Sequence, residues 1–162
     1  MKTFDYSLVK DPQYFKDRRM DAHSDHTYYR DGEEAKEKET SFRYDLNGIW
    51  KFHYARNYGS AIPGFEKADY CCKDWDDIRV PAHIQMEGYD IPQYVNIQYP
   101  WDGREDVWRD AVPSEFNPVA SYVKYFTLPE GFRKSGLYIS FQGVELSLIH
   151  ISEPTRLRCI SY

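Results

Sequence analysis

Asn96 sits in the run VPAHIQMEGYDIPQYVNIQYPW, from Val80 to Trp101, in the company of Tyr89, Asp90, Tyr94, Tyr99 and Trp101. A side-chain amide donates and accepts at once, and an aromatic ring presents a flat apolar face. Together they suit a sugar: the amide meets ring hydroxyls while an aromatic stacks on the C–H face of a pyranose. The alternative is a tyrosine-rich loop packed on a sheet, with Asn96 closing a turn through its own side chain. Pro81, Pro92 and Pro100 each fix φ, remove an amide donor and push the preceding residue toward extended geometry. The run therefore reads as a stiffened surface loop without helix or strand period, and sites concentrate on such loops.

Other candidate groups are weaker. His23 and His26 form HxxH, a spacing that suits one helix face, but no glutamate lies between them as HExxH requires and no third ligand is placed. They read as capping or interface histidines. His83, beside Gln85, reads as a hydrogen-bonding brace of the loop. Cys71 and Cys72 are adjacent, a separation that does not easily reach disulfide geometry, and without CxxC spacing they read as reduced, small, semi-buried residues.

The elements that must hold the loop are short. Trp50, Phe52 and Tyr54 fall on one face of a period-two segment, with Lys51 and His53 on the other, which predicts a half-buried strand. Asp77–Val80 is a second strand stopped by Pro81, and Ala120–Leu128 and Leu137–Gly143 are two more, joined by the turn PEGFRKSG. Between them, 66–76 reads as an acidic linker or short helix and 102–118 as a long excursion. Residues 1–45 are polar and poor in aliphatics. There a helical turn is predicted at Asp11-Pro12, and a helix at Asp31, whose carboxylate caps it while Glu34 completes a capping box. That helix has no apolar stripe and needs something to dock on.

Composition narrows the partners. The formal charge is −5 and no basic patch with interleaved aromatics is present, so nucleic acid is not an expected partner. The start MKTFDYSLVK lacks the apolar core of a signal peptide, and no segment reaches the length needed to cross a bilayer, which predicts a cytoplasmic protein without a membrane partner. Aromatics make up 17% of the chain, a level shared by sugar-handling proteins and by any tyrosine-rich β-sandwich, so this decides nothing alone.

Five pieces carry a resemblance: RRMDAH at Arg18–His23, EEA at Glu33–Ala35, LNGIWKF at Leu46–Phe52, NPVASYVKYF at Asn117–Phe126 and FQGVE at Phe141–Glu145. In that order, and with the loop run between them, they resemble the amino-terminal sugar-binding domain of glycoside hydrolase family 2, most of all its lac-type β-galactosidases. The resemblance implies an all-β fold, a jelly-roll sandwich of the galactose-binding type, incomplete here and preceded by an irregular, short-helical arm. It divides the chain into an arm at 1–45 and a truncated sandwich at 46–145. The tail from Leu146 to Tyr162 resembles no part of the family; it is similar to the translation of a sequencing adapter, and 146–162 is then a non-native tail. On that reading, removing Arg156, Arg158 and Glu153 takes the formal charge from −5 to −6. The other reading is a half-buried strand, because LSLIHI alternates apolar and polar residues.

The resemblance further implies hydrolysis of terminal β-D-galactose, as in lactose, with retention. Two carboxylates do that work in the family, and both lie in a barrel this sequence does not contain, so the fragment is expected to be inert. It lends a loop to the site, and the family pattern maps the galactose contact onto Asn96, with Tyr89, Asp90, Tyr94, Tyr99 and Trp101 as loop braces. Mg2+ and Na+ serve the intact family enzyme, but no ligand for either maps onto this chain. A β-galactoside and a homotetramer are the implied partners. A stand-alone carbohydrate-binding module, or a family 2 β-glucuronidase or β-mannosidase, are the alternatives.

Overall fold

The alternation of Trp50, Phe52 and Tyr54 with Lys51 and His53 becomes the central strand in the computed structural model, β1 at Gly48–Ala55. The structure describes residues 5–14, 20, 21, 24, 26–91, 102–108, 111–134, 136–143, 149, 150, 160 and 161. On one side β1 pairs antiparallel with β2 (Asp76–Val80), placing Trp50 opposite Ile78; on the other it pairs antiparallel with β3 (Val119–Val123), placing Phe52 opposite Tyr122. Two short strands, β4 (Ile149–His150) and β5 (Ile160–Ser161), complete one antiparallel sheet in the order β2-β1-β3-β5-β4.

Side chains two apart share a face, so the sheet has two distinct cores. Trp50, Phe52, Ile78, Ala120 and Tyr122 form the first, with Leu46, Tyr54, Val80, Ile84, Tyr89 and Phe141 packed around it. Phe52 has no exposed surface; its ring meets Tyr122 edge-on at 4.9 Å, an arrangement that adds to simple burial. The indole N–H of Trp50 donates to the Leu46 carbonyl at 2.8 Å, which satisfies its polar atom at the rim. The opposite face carries Val123, covered by Phe65, Cys72 and Trp75. Lys51 leaves this face sideways, its Nζ donating to the Trp75 carbonyl at 3.1 Å and pairing with Asp77 at 2.9 Å.

Several sequence expectations change here. The 66–76 stretch is the linker alternative and not a helix: it runs as turns up to β2, mostly exposed, yet it buries Cys72 and Trp75, with Cys71 left exposed. The third predicted strand ends at Val123 instead of Leu128. Leu137–Gly143 is not a strand, and Tyr138 is 77% exposed. The far edge of β3 pairs with β5, Tyr122 opposite Ile160. Phe141 nonetheless brings that segment to the rim of the first core.

In the arm, a 3-10 turn covers Tyr6–Lys10, and a single turn begins at Asp11-Pro12 as expected, Tyr14 N–H donating to the Asp11 carbonyl at 3.0 Å and the Gln13 amide to the Asp11 carboxylate at 2.9 Å. The helix α1 (Gly32–Glu37) starts at Asp31 as predicted, its carboxylate accepting from the Glu33 and Glu34 amides at 3.0 Å each. The box closes one residue early, because Glu34 Oε2 accepts from Arg30 N–H at 2.8 Å and not from Asp31 N–H. No residue of α1 is buried, so caps and the Thr40 hydroxyl, which donates to the Tyr28 carbonyl at 2.6 Å, hold this turn of chain together. Among the described residues no helix is long and apolar enough to cross a membrane.

Candidate functional site

The loop run leaves β2 through Pro81 and makes one 3-10 turn at Ile84–Glu87. Gly88, at φ 94°, ends the turn in the left-handed region where a side chain is disfavoured, and Tyr89 N–H donates to the Ile84 carbonyl at 3.0 Å. An Arg79–Glu87 ion pair at 3.1 Å ties the turn back to β2. His83 stands at the N-cap but makes no capping bond with its side chain and is exposed, so it does not brace the loop in that way.

Tyr89 lies edge-on to Phe52, ring centroids 4.5 Å apart, and 6.2 Å from Tyr54. Asp76 lies near the Tyr89 hydroxyl, and Asp90 near that of Tyr54. Burial pushes both phenols up to about 12, and the facing carboxylates add to the shift by opposing a second negative charge. Asp90 itself is at φ 58°, a left-handed conformation that Asp tolerates better than most residues. The upstream foot of the run is thus packed on the core through Tyr89.

The downstream foot returns to the same end of β1. Gly103, at φ 75°, turns the chain, and the Arg104 guanidinium lies over the Phe116 ring, 3.8 Å from its centroid, with Arg56 at 5.9 Å. The Glu105 carboxylate accepts from Ser114 N–H at 2.7 Å, Ser114 Oγ at 3.1 Å, Glu115 N–H at 2.9 Å and Phe116 N–H at 3.0 Å. Those bonds, the Ser114 amide first and the Phe116 amide next, hold the Glu105 carboxyl below the usual range. The 114–117 segment is itself fixed to β1: Asn57 Nδ2 donates to the Glu115 carbonyl at 3.2 Å, and Asn117 N–H donates to the Arg56 carbonyl at 3.2 Å.

Of the predicted site residues, Tyr89 and Asp90 are at this base; Tyr94, Asn96, Tyr99 and Trp101 lie outside the described residues, as does His23. His26 is exposed. Sequence reasoning missed Tyr54, Arg104 and Glu105. Tyr54 carried a usable signal as the last aromatic of the alternating strand, whereas Glu105 finds its partners nine to eleven positions away and carried none. Among the described residues no group of three His, Cys, Asp or Glu side chains gathers to hold a metal ion.

Residues 43–151 match the family described as glycosyl hydrolases family 2, sugar binding domain, and the chain belongs to that family. It is 50% identical to a beta-galactosidase of Halalkalibacterium halodurans over 147 residues, which is 90% of this chain and 14% of that protein. It is 45% identical to a beta-galactosidase of Streptococcus thermophilus over 142 residues, 88% of this chain and 14% of that protein. A beta-galactosidase large subunit of Latilactobacillus sakei is 35% identical over 149 residues, 85% of this chain and 24% of that subunit. The chain thus spans well under a third of the length of these relatives.

Proposed function

We propose that this chain is the amino-terminal sugar-binding part of a β-galactosidase that releases terminal non-reducing β-D-galactose, as from lactose, with retention of configuration. The observation that carries this reading is similarity along nine-tenths of the chain, at up to 50% identity, to proteins that bear the name beta-galactosidase. Asn96 is the residue assigned to the galactosyl hydroxyls, and Tyr89, Asp90, Tyr94, Tyr99 and Trp101 brace the loop that presents it. The amide works as a positioning contact: hydrogen bonds that tighten as the ring flattens toward an oxocarbenium ion favour the transition state over the ground state. The pair of carboxylates that breaks the bond belongs to the remainder of the parent enzyme, and the chain alone is inert.

The finer architecture completes this reading. The single sheet is one layer of a jelly-roll sandwich, 46–145 is the sandwich portion, 1–45 an arm and 146–162 a non-native tail. The parent is a cytoplasmic homotetramer, with Mg2+ and Na+ held by residues outside this segment. The test is to assay the full-length protein that carries this segment on nitrophenyl β-D-galactoside, β-D-glucuronide and β-D-mannoside, following the anomer released. Galactoside hydrolysis with retention is the expected result. Preference for the glucuronide or mannoside, or sugar binding without hydrolysis, would overturn it.

A further inference from the structure

We infer that Leu137–Gly143 is a strand-accepting edge, and that in the intact parent its main chain pairs with an extended segment supplied by the remainder of that protein. The inference rests on the reading of this chain as one part of a longer enzyme, and not on which sugar that enzyme takes. Exposure alternates along the segment: Tyr138 is 77% exposed, Ile139 half-buried, Ser140 exposed, Phe141 half-buried and Gln142 exposed. Side chains two apart lie on one side of an extended run, and Gln142 Nε2 donates to Ser140 Oγ at 2.8 Å on the outward side. On the inward side Phe141 packs against the core of Trp50, Phe52, Ile78, Ala120 and Tyr122. The side chains of 138–142 are thus set out as in a half-buried strand.

The main chain has no such arrangement. Among the described residues, no main-chain hydrogen bond reaches Leu137, Tyr138, Ile139 or Ser140. Irregular stretches elsewhere on the two cores answer their own donors. The Lys67, Tyr70 and Trp75 amides donate to the Gly64, Lys67 and Cys72 carbonyls at 3.1 Å each, and the Met86 and Tyr89 amides donate to the His83 and Ile84 carbonyls at 2.9 and 3.0 Å. At 114–116 the Glu105 carboxylate forms a clasp on three amides. Turns and clasps close on themselves, whereas a strand's donors and acceptors point sideways to a neighbouring strand. The occupant follows from position and size. The family match runs from 43 to 151, so Leu137–Gly143 lies inside the domain, and a strand added beside it rests on the core that Phe141 already covers. The matched segment is 14% of the Halalkalibacterium halodurans relative, so most of such a protein is available to supply that strand. Its residues beside Phe141 must be apolar and those beside Ser140 and Gln142 polar, as when an extended segment joins the edge of a sheet.

The experiment is amide hydrogen exchange on the full-length protein that carries this segment, read residue by residue across 137–143. Pairing with one strand predicts that alternate amides exchange about a hundredfold or more slowly than in the same unstructured peptide, and pairing on both sides predicts this at every position. Exchange at the unstructured rate throughout, or protection of one isolated amide, would overturn the inference. Protection that disappears when the enzyme is diluted to its protomers would overturn the choice of occupant and assign the edge to a second copy of the chain. Failure here and failure of the proposed function are distinguishable. Preference for a glucuronide or mannoside leaves the pairing standing, and unprotected amides leave galactoside turnover standing.

Discussion

Phe52 and Ser121 show what single side chains contribute on the two faces of this sheet. Phe52 is wholly enclosed by Tyr89, Tyr122 and the rest of the first core, so Phe52→Ala leaves a void with no neighbour free to fill it. A loss of about 3–5 kcal/mol is expected in denaturant unfolding of the full-length protein's amino-terminal domain. Ser121 is the opposite case: its Oγ is buried with no hydrogen-bond partner among the described residues, as is Nδ1 of His53 directly across the register. Ser121→Ala removes an unsatisfied polar atom and should be neutral or stabilising by up to about 1 kcal/mol, and a destabilised variant would show that the hydroxyl is bonded. Tyr54 and Tyr89 make a pH prediction. Their folded pKa of about 12 lies above the ordinary phenol value of 10.0, so their stabilisation is complete below 10 and is lost as pH rises toward 12. Phenolate absorbance should show a group of tyrosines titrating late, and Tyr54→Phe should remove its member of that group.

At the scale of elements, β1 and the cap of α1 were legible because their signals are local. Trp50, Phe52 and Tyr54 alternate within one strand, and Asp31 stands immediately ahead of the residues whose amides it accepts. Asp31→Ala should loosen the helix locally, read as amide exchange about fivefold faster at Glu33 and Glu34, with little effect on the sheet because α1 buries nothing. Illegible elements depended on distant partners. The cover formed by Phe65, Cys72 and Trp75 has no repeat that would announce burial, and Leu137–Gly143 has the alternation of a strand without forming one. The Glu105 clasp belongs to this group too. Because its carboxyl titrates below the usual range, the clasp is formed above the ordinary carboxylate pKa and opens only as pH falls through the lowered folded value. Protease sensitivity of the 105–116 excursion should therefore rise at strongly acid pH in the parent chain and be independent of that transition in Glu105→Gln.

For the whole molecule, the family was readable from ordered sequence pieces, while residues 92–101 of the proposed site lie outside the described residues. The sheet explains why that loop is useful: its upstream foot is seated on the Phe52 core and its downstream foot on the end of the same strand. Trp108 at 83% and Met86 at 81% exposure flank this region, with Ile91 at 54%, so the separate chain presents apolar surface near the loop base. Expressed by itself it should self-associate and show no turnover of galactosides; a monodisperse monomer in light scattering would contradict the first expectation and hydrolysis the second.

The most direct measurement is the turnover of nitrophenyl β-D-galactoside by the intact parent carrying Asn96→Ala, beside the unaltered enzyme. Loss of a hydrogen-bonding amide at the galactosyl hydroxyls predicts a fall in kcat/KM of about a hundredfold, with the melting temperature retained. Equal turnover by the two proteins would contradict the assignment of this loop to the sugar.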